Sequence, residues 1–209
     1  MVASASIERL LDPAAGSAGS GVFVAVVGPS GAGKDTIIDY ARMALNGETG
    51  FHFVRRVVTR PSSVDAEDHD TLNEDEFSAA SQSGAFSHQW KAHGLCYGLP
   101  KSVDVEMAHG AVAIANVSRG IIPSLRATYA NLAVVHITAS HEVLAMRLAA
   151  RGRETADEIR HRLMRAGANP CDPADAIMID NSHEVARAGD LFVAVLRRMA
   201  MKAAVSGQV

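Results

Sequence analysis

A glycine-rich segment between an apolar run and a helical pattern contains the residues with the clearest chemistry. In order, it consists of Gly28, Pro29, Ser30, Gly31, Ala32, Gly33 and Lys34. Glycines let the backbone wrap closely around a ligand, so that its N–H groups and the following helix N-terminus point at phosphate oxygens, and the lysine neutralises the β- and γ-phosphates of ATP. A glycine-rich turn with a solvated lysine needs neither all three glycines nor this spacing. The segment therefore predicts an ATP-binding phosphate loop.

Asp35 follows this loop at the position where a serine or threonine usually offers a hydroxyl to magnesium. A carboxylate there attracts the Mg²⁺ that accompanies ATP, so we hypothesise that Asp35 binds this Mg²⁺ directly or through water. Two alternatives stay open. Thr36 supplies the hydroxyl instead, or Asp35 is an acid favoured by the dipole of the first helical turn.

A second cluster is cationic and lies around Gly152. Its members are Arg147, Arg151, Arg153, Arg160, Arg162 and Arg165. Guanidinium groups suit bidentate phosphate contacts and stabilise charge on a transferring phosphoryl group, and the glycine interrupts the helical pattern between two of them. We predict an arginine-bearing lid at about residues 150–156. The alternative is a solvated helix face whose arginines pair with neighbouring acidic side chains.

Polar residues follow two predicted strands, in the place where sheets of this type bind acceptor substrates. They are Arg60, Asn116, Ser118 and Arg119. In the acidic segment 67–70, a solvated loop is favoured over a metal site, although Glu67 and Asp68 are also candidates for hydrogen bonds to sugar hydroxyls. His93, close in sequence to Trp90 and Tyr97, is a candidate for contact with a substrate. The favoured interpretation is a histidine packed in the protein interior.

The elements that position these residues alternate strand and helix, which indicates an α/β fold of the phosphate-loop NTPase type with a doubly wound, parallel, five-stranded sheet and flanking helices. The predicted strands cover 22–27, 51–58, 112–115, 133–137 and 176–179. Helices are predicted at 34–45, 121–129, 142–150 and 185–199. Asn73 with Glu76 and Thr155 with Glu158 form capping-box patterns that start two further helices.

Composition favours one globular domain. The 209 residues are 48% hydrophobic and 21% charged, with a net charge of -3. That charge gives no general attraction to nucleic acid or anionic membrane, and no signal peptide or membrane-spanning run is present. We expect a flexible tail at 1–20, a kinase domain at 21–209 with an acceptor-binding insertion at about 61–100, and a cytoplasmic monomer or homodimer.

From residue 21 to the end, the chain resembles the guanylate kinase family. The matching features are the loop at 28–34, Thr59 with Arg60, the run from Arg147 to Glu154, and Arg162 with Leu163. The resemblance implies that Arg60 binds the acceptor phosphate and that Arg147, Arg151 and Arg162 close over the transferred group. The family pattern has a second acceptor-phosphate arginine where this chain has Ser63.

Other features are similar to the ribose 1,5-bisphosphate phosphokinases, a family of the same superfamily that acts in phosphonate catabolism. They are Asp35 after the loop, Glu67-Asp68-His69 after Arg60, the run from Trp90 to Gly98, and Asn116-Val-Ser-Arg119. This similarity implies Mg²⁺-dependent transfer of the ATP γ-phosphate to ribose 1,5-bisphosphate, giving 5-phosphoribosyl 1-diphosphate. It implies acceptor binding by Arg60, Glu67, Asp68, His93, Tyr97, Asn116, Ser118 and Arg119.

Two other functions remain open at this point. The first is a guanylate or other nucleoside monophosphate kinase, which needs a base-binding pocket between residues 66 and 97. The second is a non-catalytic interaction module with a guanylate-kinase-like fold. The intact Gly33-Lys34 pair and the arginine cluster argue against the second.

Overall fold

A computed structural model describes residues 21–60, 69–150 and 175–206 of the chain. Several predictions lie outside the described residues. They are the tail at 1–20, most of the lid at 150–156, the helix capped by Thr155 and Glu158, and the site residues Glu67, Asp68, Arg151 and Arg162.

The described strands are β1 (Val22–Val27), β2 (Phe51–Phe53), β3 (Arg56–Val58), β4 (His69–Thr71), β5 (Phe86–Ala92), β6 (Leu95–Pro100), β7 (Val112–Asn116), β8 (Leu132–Thr138) and β9 (Ile177–Asp180). The described helices are α1 (Lys34–Ala44), α2 (Glu74–Gln82), α3 (Ser102–Ala108), α4 (Ile122–Thr128), α5 (His141–Ala150) and α6 (Val185–Ser206). A single 3-10 turn at Arg119–Ile121 leads into α4. Among these helices, none is both long enough and apolar enough to cross a membrane.

The main sheet has five parallel strands, as predicted, and their order is β2-β7-β1-β8-β9. Its central strand β1 is buried along its whole length, since helices cover both faces. On one face, residues such as Val24 pack with α1 and α6, and on the other, residues such as Phe23 pack with α3 and α4. This two-sided core brings the carboxyl ends of β1, β7 and β8 to one edge.

A second sheet of four strands has the order β4-β3-β6-β5. The prediction of one strand over 51–58 is therefore wrong, because this run divides between the two sheets. Val54 still donates a backbone hydrogen bond to the oxygen of Ile114 in β7 at 2.9 Å, whereas Val57 pairs with Gly98 of β6. Arg55 and Arg56 stand between the apolar residues of the two halves, so this pair marks the break, and the prediction of one continuous strand did not use that signal.

Helix α2 confirms the first capping-box prediction. The Asn73 Oδ1 atom accepts a hydrogen bond from the Glu76 backbone N–H at 2.8 Å, and Glu76 Oε2 accepts one from the Asn73 N–H at 2.8 Å. Such reciprocal bonds satisfy backbone donors that the first helical turn leaves unpaired. This local signal fixes where the helix begins in the second, smaller lobe of the protein.

Candidate active site

The glycine-rich loop connects β1 directly to α1, in the arrangement that the sequence predicts. Gly28, Gly31 and Gly33 have φ values of 147°, 85° and 83°, a region that side chains rarely adopt. A Cβ atom at Gly28 would collide with the Ile137 carbonyl oxygen, and one at Gly33 would lie 2.5 Å from Asn181 Nδ2. Backbone conformation and close packing thus both require glycine in this loop.

Lys34 begins α1 and folds its side chain back over the loop. Its Nζ atom donates hydrogen bonds to the carbonyl oxygens of Gly28 and Pro29, each at 3.1 Å. The ammonium group is therefore held over the loop, where the phosphates of a nucleotide would approach the backbone N–H groups at the start of the helix. The loop therefore has the two features that phosphate binding needs, a positive side chain and backbone N–H donors at a helix N-terminus.

Two residues from other elements fix the rim of the loop. The Asn181 Nδ2 group donates a hydrogen bond to the Ala32 oxygen at 2.8 Å, and Arg147 donates to the Asn181 backbone oxygen at 2.9 Å. Arg147 also donates to the Gly31 oxygen at 3.4 Å. The guanidinium group predicted to close over the transferred phosphate thus contacts the loop backbone in this structure.

Asp35 lies in the first turn of α1 and is bonded to the end of β7. Its Oδ1 atom accepts a hydrogen bond from Asn116 Nδ2 at 2.7 Å. Thr36 is exposed beside it. No group of three or more potential metal ligands occurs within the residues that the structure describes. Nucleotide-bound Mg²⁺ needs only one or two protein carboxylates, because phosphates and water complete its shell, so Asp35 fits this metal.

Tyr97 and Ser118, two of the predicted acceptor residues, lie where the second sheet meets the end of β7. Trp90 Nε1 donates a hydrogen bond to Ser118 Oγ at 2.8 Å, and its ring stacks on Tyr97 with centroids 5.3 Å apart. The Arg56 guanidinium lies 5.7 Å from the centroid of the same tyrosine ring. These contacts join strands β3, β5 and β6 to the residues that follow β7.

Arg60 follows β3 at this junction, as the sequence predicts. The residue is half-buried, and its Nε atom is buried with no hydrogen-bond partner among the described residues. A buried guanidinium N–H without a partner is costly unless a ligand completes it. Arg60 therefore has the properties of an anion-binding residue.

The family comparison decides the class of this site. The guanylate kinase family profile matches residues 21–187. The chain belongs to the guanylate kinase family. Its fold agrees with this, since the crystal structure of guanylate kinase from Anaplasma phagocytophilum superimposes with a TM-score of 0.62 at 16% sequence identity, covering 88% of each chain.

The relatives of this chain include proteins named ribose 1,5-bisphosphate phosphokinase PhnN. The relative from Brucella melitensis is 52% identical over 182 residues, which is 87% of this chain and 95% of the relative. The relative from Chelativorans sp. is 48% identical over 198 residues, which is 94% of this chain and 95% of the relative. The similarity therefore extends well beyond the phosphate loop.

His93 is not a packed histidine, so the favoured interpretation of this residue was wrong. It is exposed at the turn between β5 and β6, with a φ of 52° beside Gly94. A two-residue turn needs this left-handed backbone, and a histidine there has no core to pack into. Its predicted contact with the acceptor stays a prediction.

Two residues of the site have no counterpart in the sequence-based prediction. Asn181 follows β9, so the rule that selected Asn116 after a buried strand would also have selected it. His136 lies inside β8 and is only 5% exposed. Burial lowers the pKa of the His136 ring, and repulsion from Arg119 and Lys34 lowers it further, so the ring is neutral near pH 7.

Proposed function

We propose that this chain is a ribose 1,5-bisphosphate phosphokinase. It transfers the γ-phosphate of ATP to the 1-phosphate of ribose 1,5-bisphosphate and releases ADP and 5-phosphoribosyl 1-diphosphate. The observation that carries the proposal is the 52% identity to the Brucella relative over 95% of that relative's length. The guanylate kinase family supplies the ATP-dependent phosphotransfer on which it depends.

The donor half of the reaction is assigned to the loop at 28–33 with Lys34, Asp35 and Thr36. The backbone N–H groups bind phosphate oxygens, and the Lys34 ammonium leaves the Gly28 and Pro29 carbonyls to neutralise the β- and γ-phosphates. The acceptor is an ionised phosphate, so it needs no general base. Catalysis then consists of positioning the two phosphates and neutralising their charge.

The acceptor half is assigned to residues at the ends of β3 and β7. A sugar with two phosphates needs cations and hydroxyl-binding groups and no base pocket, which suits the unpartnered Nε of Arg60 and the side chains of Arg119, Ser118 and Asn116. The proposed acceptor site also includes Glu67, Asp68, His93 and Tyr97. Arg151 and Arg162 join Arg147 in the proposed set that closes over the transferred phosphate.

Magnesium is assigned to Asp35, with Asn116 as its positioning partner. Phosphate-loop enzymes usually place a hydroxyl in the helix and a carboxylate on the neighbouring strand. Here the carboxylate is on the helix, and an amide at the strand end donates to it at 2.7 Å. The Asp35→Asn variant should need a several-fold higher Mg²⁺ concentration for half-maximal rate, with Asp39→Asn on the same helix as a control. An unchanged Mg²⁺ titration would remove this assignment.

The experiment that tests the function measures ADP release from Mg-ATP with a panel of acceptors. The panel contains ribose 1,5-bisphosphate, GMP and the other nucleoside monophosphates. We expect the highest kcat/KM with ribose 1,5-bisphosphate. Turnover of GMP at equal or higher efficiency would establish a nucleoside monophosphate kinase instead. Absence of both turnover and ATP binding would establish a non-catalytic module.

A further inference from the structure

His136 is a polar side chain in a place where the fold calls for an apolar one. It lies in the main sheet, opposite Val27, the last residue of β1. Its neighbours Val135 and Ile137 pack in the cluster with α1 and α6, whereas Val134 packs in the cluster with α3 and α4. Because side chains alternate along a strand, His136 faces the second of these clusters. Trp90 packs against the same cluster, so His136 faces the acceptor side of the sheet.

Neither ring nitrogen of His136 has a hydrogen-bond partner within the described part of the chain. The residue is nevertheless 95% buried, since only 5% of it is exposed. Buried polar atoms in folded proteins are nearly always paired, and exceptions commonly mark groups that a ligand or water completes. Packing alone would be served as well by a phenylalanine or leucine.

The surroundings of the ring indicate which ligand would complete it. A Cβ atom at Gly28 would lie 3.4 Å from the ring Cδ2 atom, so the ring touches the base of the phosphate loop. Lys34, from α1, and Arg119, from the turn after β7, are close enough for their charges to act on it. Two acidic side chains lie on the neighbouring elements, and each accepts a hydrogen bond from another residue: Asp35 of α1 from Asn116, and Asp180 of β9 from Ser182. The ring nitrogens of His136 have no partner among the residues that the structure describes, and the two cations Lys34 and Arg119 act on them beside a phosphate loop. An anionic ligand is the one that such surroundings would bind.

We propose that His136 is a phosphate ligand on the acceptor side of the site, where one ring N–H donates to the accepting phosphate that Arg119 also binds. This proposal rests on the proposed function, because it assumes an acceptor that presents a phosphate to ATP. The arriving phosphate carries negative charge and offsets the repulsion from Lys34 and Arg119. The ring therefore takes up a proton when the phosphate binds, which adds a third positive charge next to the transferring group.

The first arm of the test needs no knowledge of the acceptor. Inorganic phosphate is titrated into the wild-type protein saturated with a non-transferring Mg-ATP analogue, in two buffers of different ionisation enthalpy. We expect uptake of a substantial fraction of a proton, and a shift of the His136 ring nitrogen signals in NMR spectra. Ring signals that do not move at saturating phosphate would overturn the proposal.

The second arm compares variants at two buried histidines. His136→Phe should lose the proton uptake and raise the KM for the acceptor about tenfold or more, because a hydrogen bond to a charged group is lost, with less than a twofold change in the KM for ATP. His136→Gln, which keeps an N–H donor, should recover part of the acceptor affinity. His88→Phe is the matched control, since His88 is 8% exposed and contacts Thr128, away from the loop.

The possible outcomes separate the two proposals. If wild-type protein does not use ribose 1,5-bisphosphate but the first arm succeeds, the proposed function fails and the phosphate-ligand role stands. If ribose 1,5-bisphosphate is the substrate and His136→Phe keeps the wild-type KM for it, the role of His136 fails alone. Equal increases in both KM values for His136→Phe and His136→Gln would show that the residue acts only through packing.

Discussion

The donor and acceptor halves of this site are built in different ways. The donor half consists of nine consecutive residues, 28–36, whose conformation is fixed largely by its own glycines and by the bonds of Lys34 to Gly28 and Pro29. The acceptor half brings together residues in or directly after four strands, β3, β5, β6 and β7, through contacts such as that between Trp90 and Ser118. A change in the donor half should therefore impair reaction with any acceptor, whereas a change in the acceptor half should act on the acceptor alone.

The largest effect is expected from Lys34→Met. This variant removes the ammonium group that neutralises the transferring phosphate, and loss of one such group lowers kcat by about 10²–10³-fold. The comparison of halves requires a similar loss with every acceptor that the wild type uses, measured as ADP release. Lys101→Met is the control, because Lys101 is an exposed residue paired with Asp104. A loss below about tenfold would contradict the donor assignment.

The next effect separates backbone strain from close packing in the donor half. Gly33→Ala and Gly47→Ala both force a side chain into a left-handed backbone, with φ values of 83° and 90°. Only the first also brings a Cβ to 2.5 Å from Asn181 Nδ2, since nothing lies within 4 Å of a Cβ at Gly47. We expect a loss of unfolding free energy of about 1 kcal/mol for Gly47→Ala and about 2–4 kcal/mol for Gly33→Ala, measured by urea denaturation.

Equal losses at the two glycines would show that the contact with Asn181 does not restrain the loop. The KM for ATP is a second measurement on the same variants. It should rise for Gly33→Ala and stay at the wild-type value for Gly47→Ala, because Gly47 follows α1 at a distance in sequence from the loop.

A smaller effect is expected in the acceptor half from Trp90→Phe. The variant keeps an aromatic ring that can stack on Tyr97 but loses the 2.8 Å hydrogen bond to Ser118. A hydrogen bond of this kind contributes about 1 kcal/mol, so the KM for the acceptor should rise about fivefold while the KM for ATP stays constant.

Ser118→Ala completes a double-mutant cycle for this contact. If both residues act through their mutual bond, the variant with both substitutions should be no worse than the more impaired single variant. If Trp90→Phe raised the KM for ATP as much as the KM for the acceptor, the donor and acceptor halves would not be separable in this way.

The smallest predicted effect is a pH dependence of stability, to which two buried histidines contribute, His88 in β5 and His136 in β8. Burial lowers the pKa of His88, next to Tyr129, below the ordinary value of 6.5, and the pKa of His136 is lowered as well. Near pH 6 the unfolded chain therefore binds more protons than the folded one. The stability contributed by these neutral rings is present above about pH 6.5 and decreases as the pH falls.

Replacing either ring by phenylalanine should flatten this dependence by up to about 1 kcal/mol between pH 7.5 and 5.5, as measured by urea denaturation. The difference between His88→Phe and the wild type should be constant above about pH 7.5 and should change below pH 6.5. Parallel stability curves for His88→Phe and the wild type across this range would contradict the lowered pKa of His88 in the folded protein.

Much of the donor half and of the fold could be predicted because their determinants are local. The apolar run of β1, the glycines and Lys34 follow one another in the chain, so their spacing specifies a strand, a phosphate loop and a helix. The capping box at Asn73 and Glu76 is also complete within four residues. The alternation of such elements predicted the parallel five-stranded sheet, whose right-handed strand–helix–strand units allow few other arrangements.

Tertiary structure decided the division of residues 51–58 between two sheets, the bond from Trp90 to Ser118, and the positions of His136 and Asn181 at the loop. Each depends on contacts between residues far apart in the chain. Arg55 and Arg56 interrupt the run 51–58 but do not indicate which sheet receives each half, and a histidine inside a strand shows no sign of the cations near it in the fold. The sequence by itself determined the phosphate loop, and only the packing of the two sheets determined what faces it.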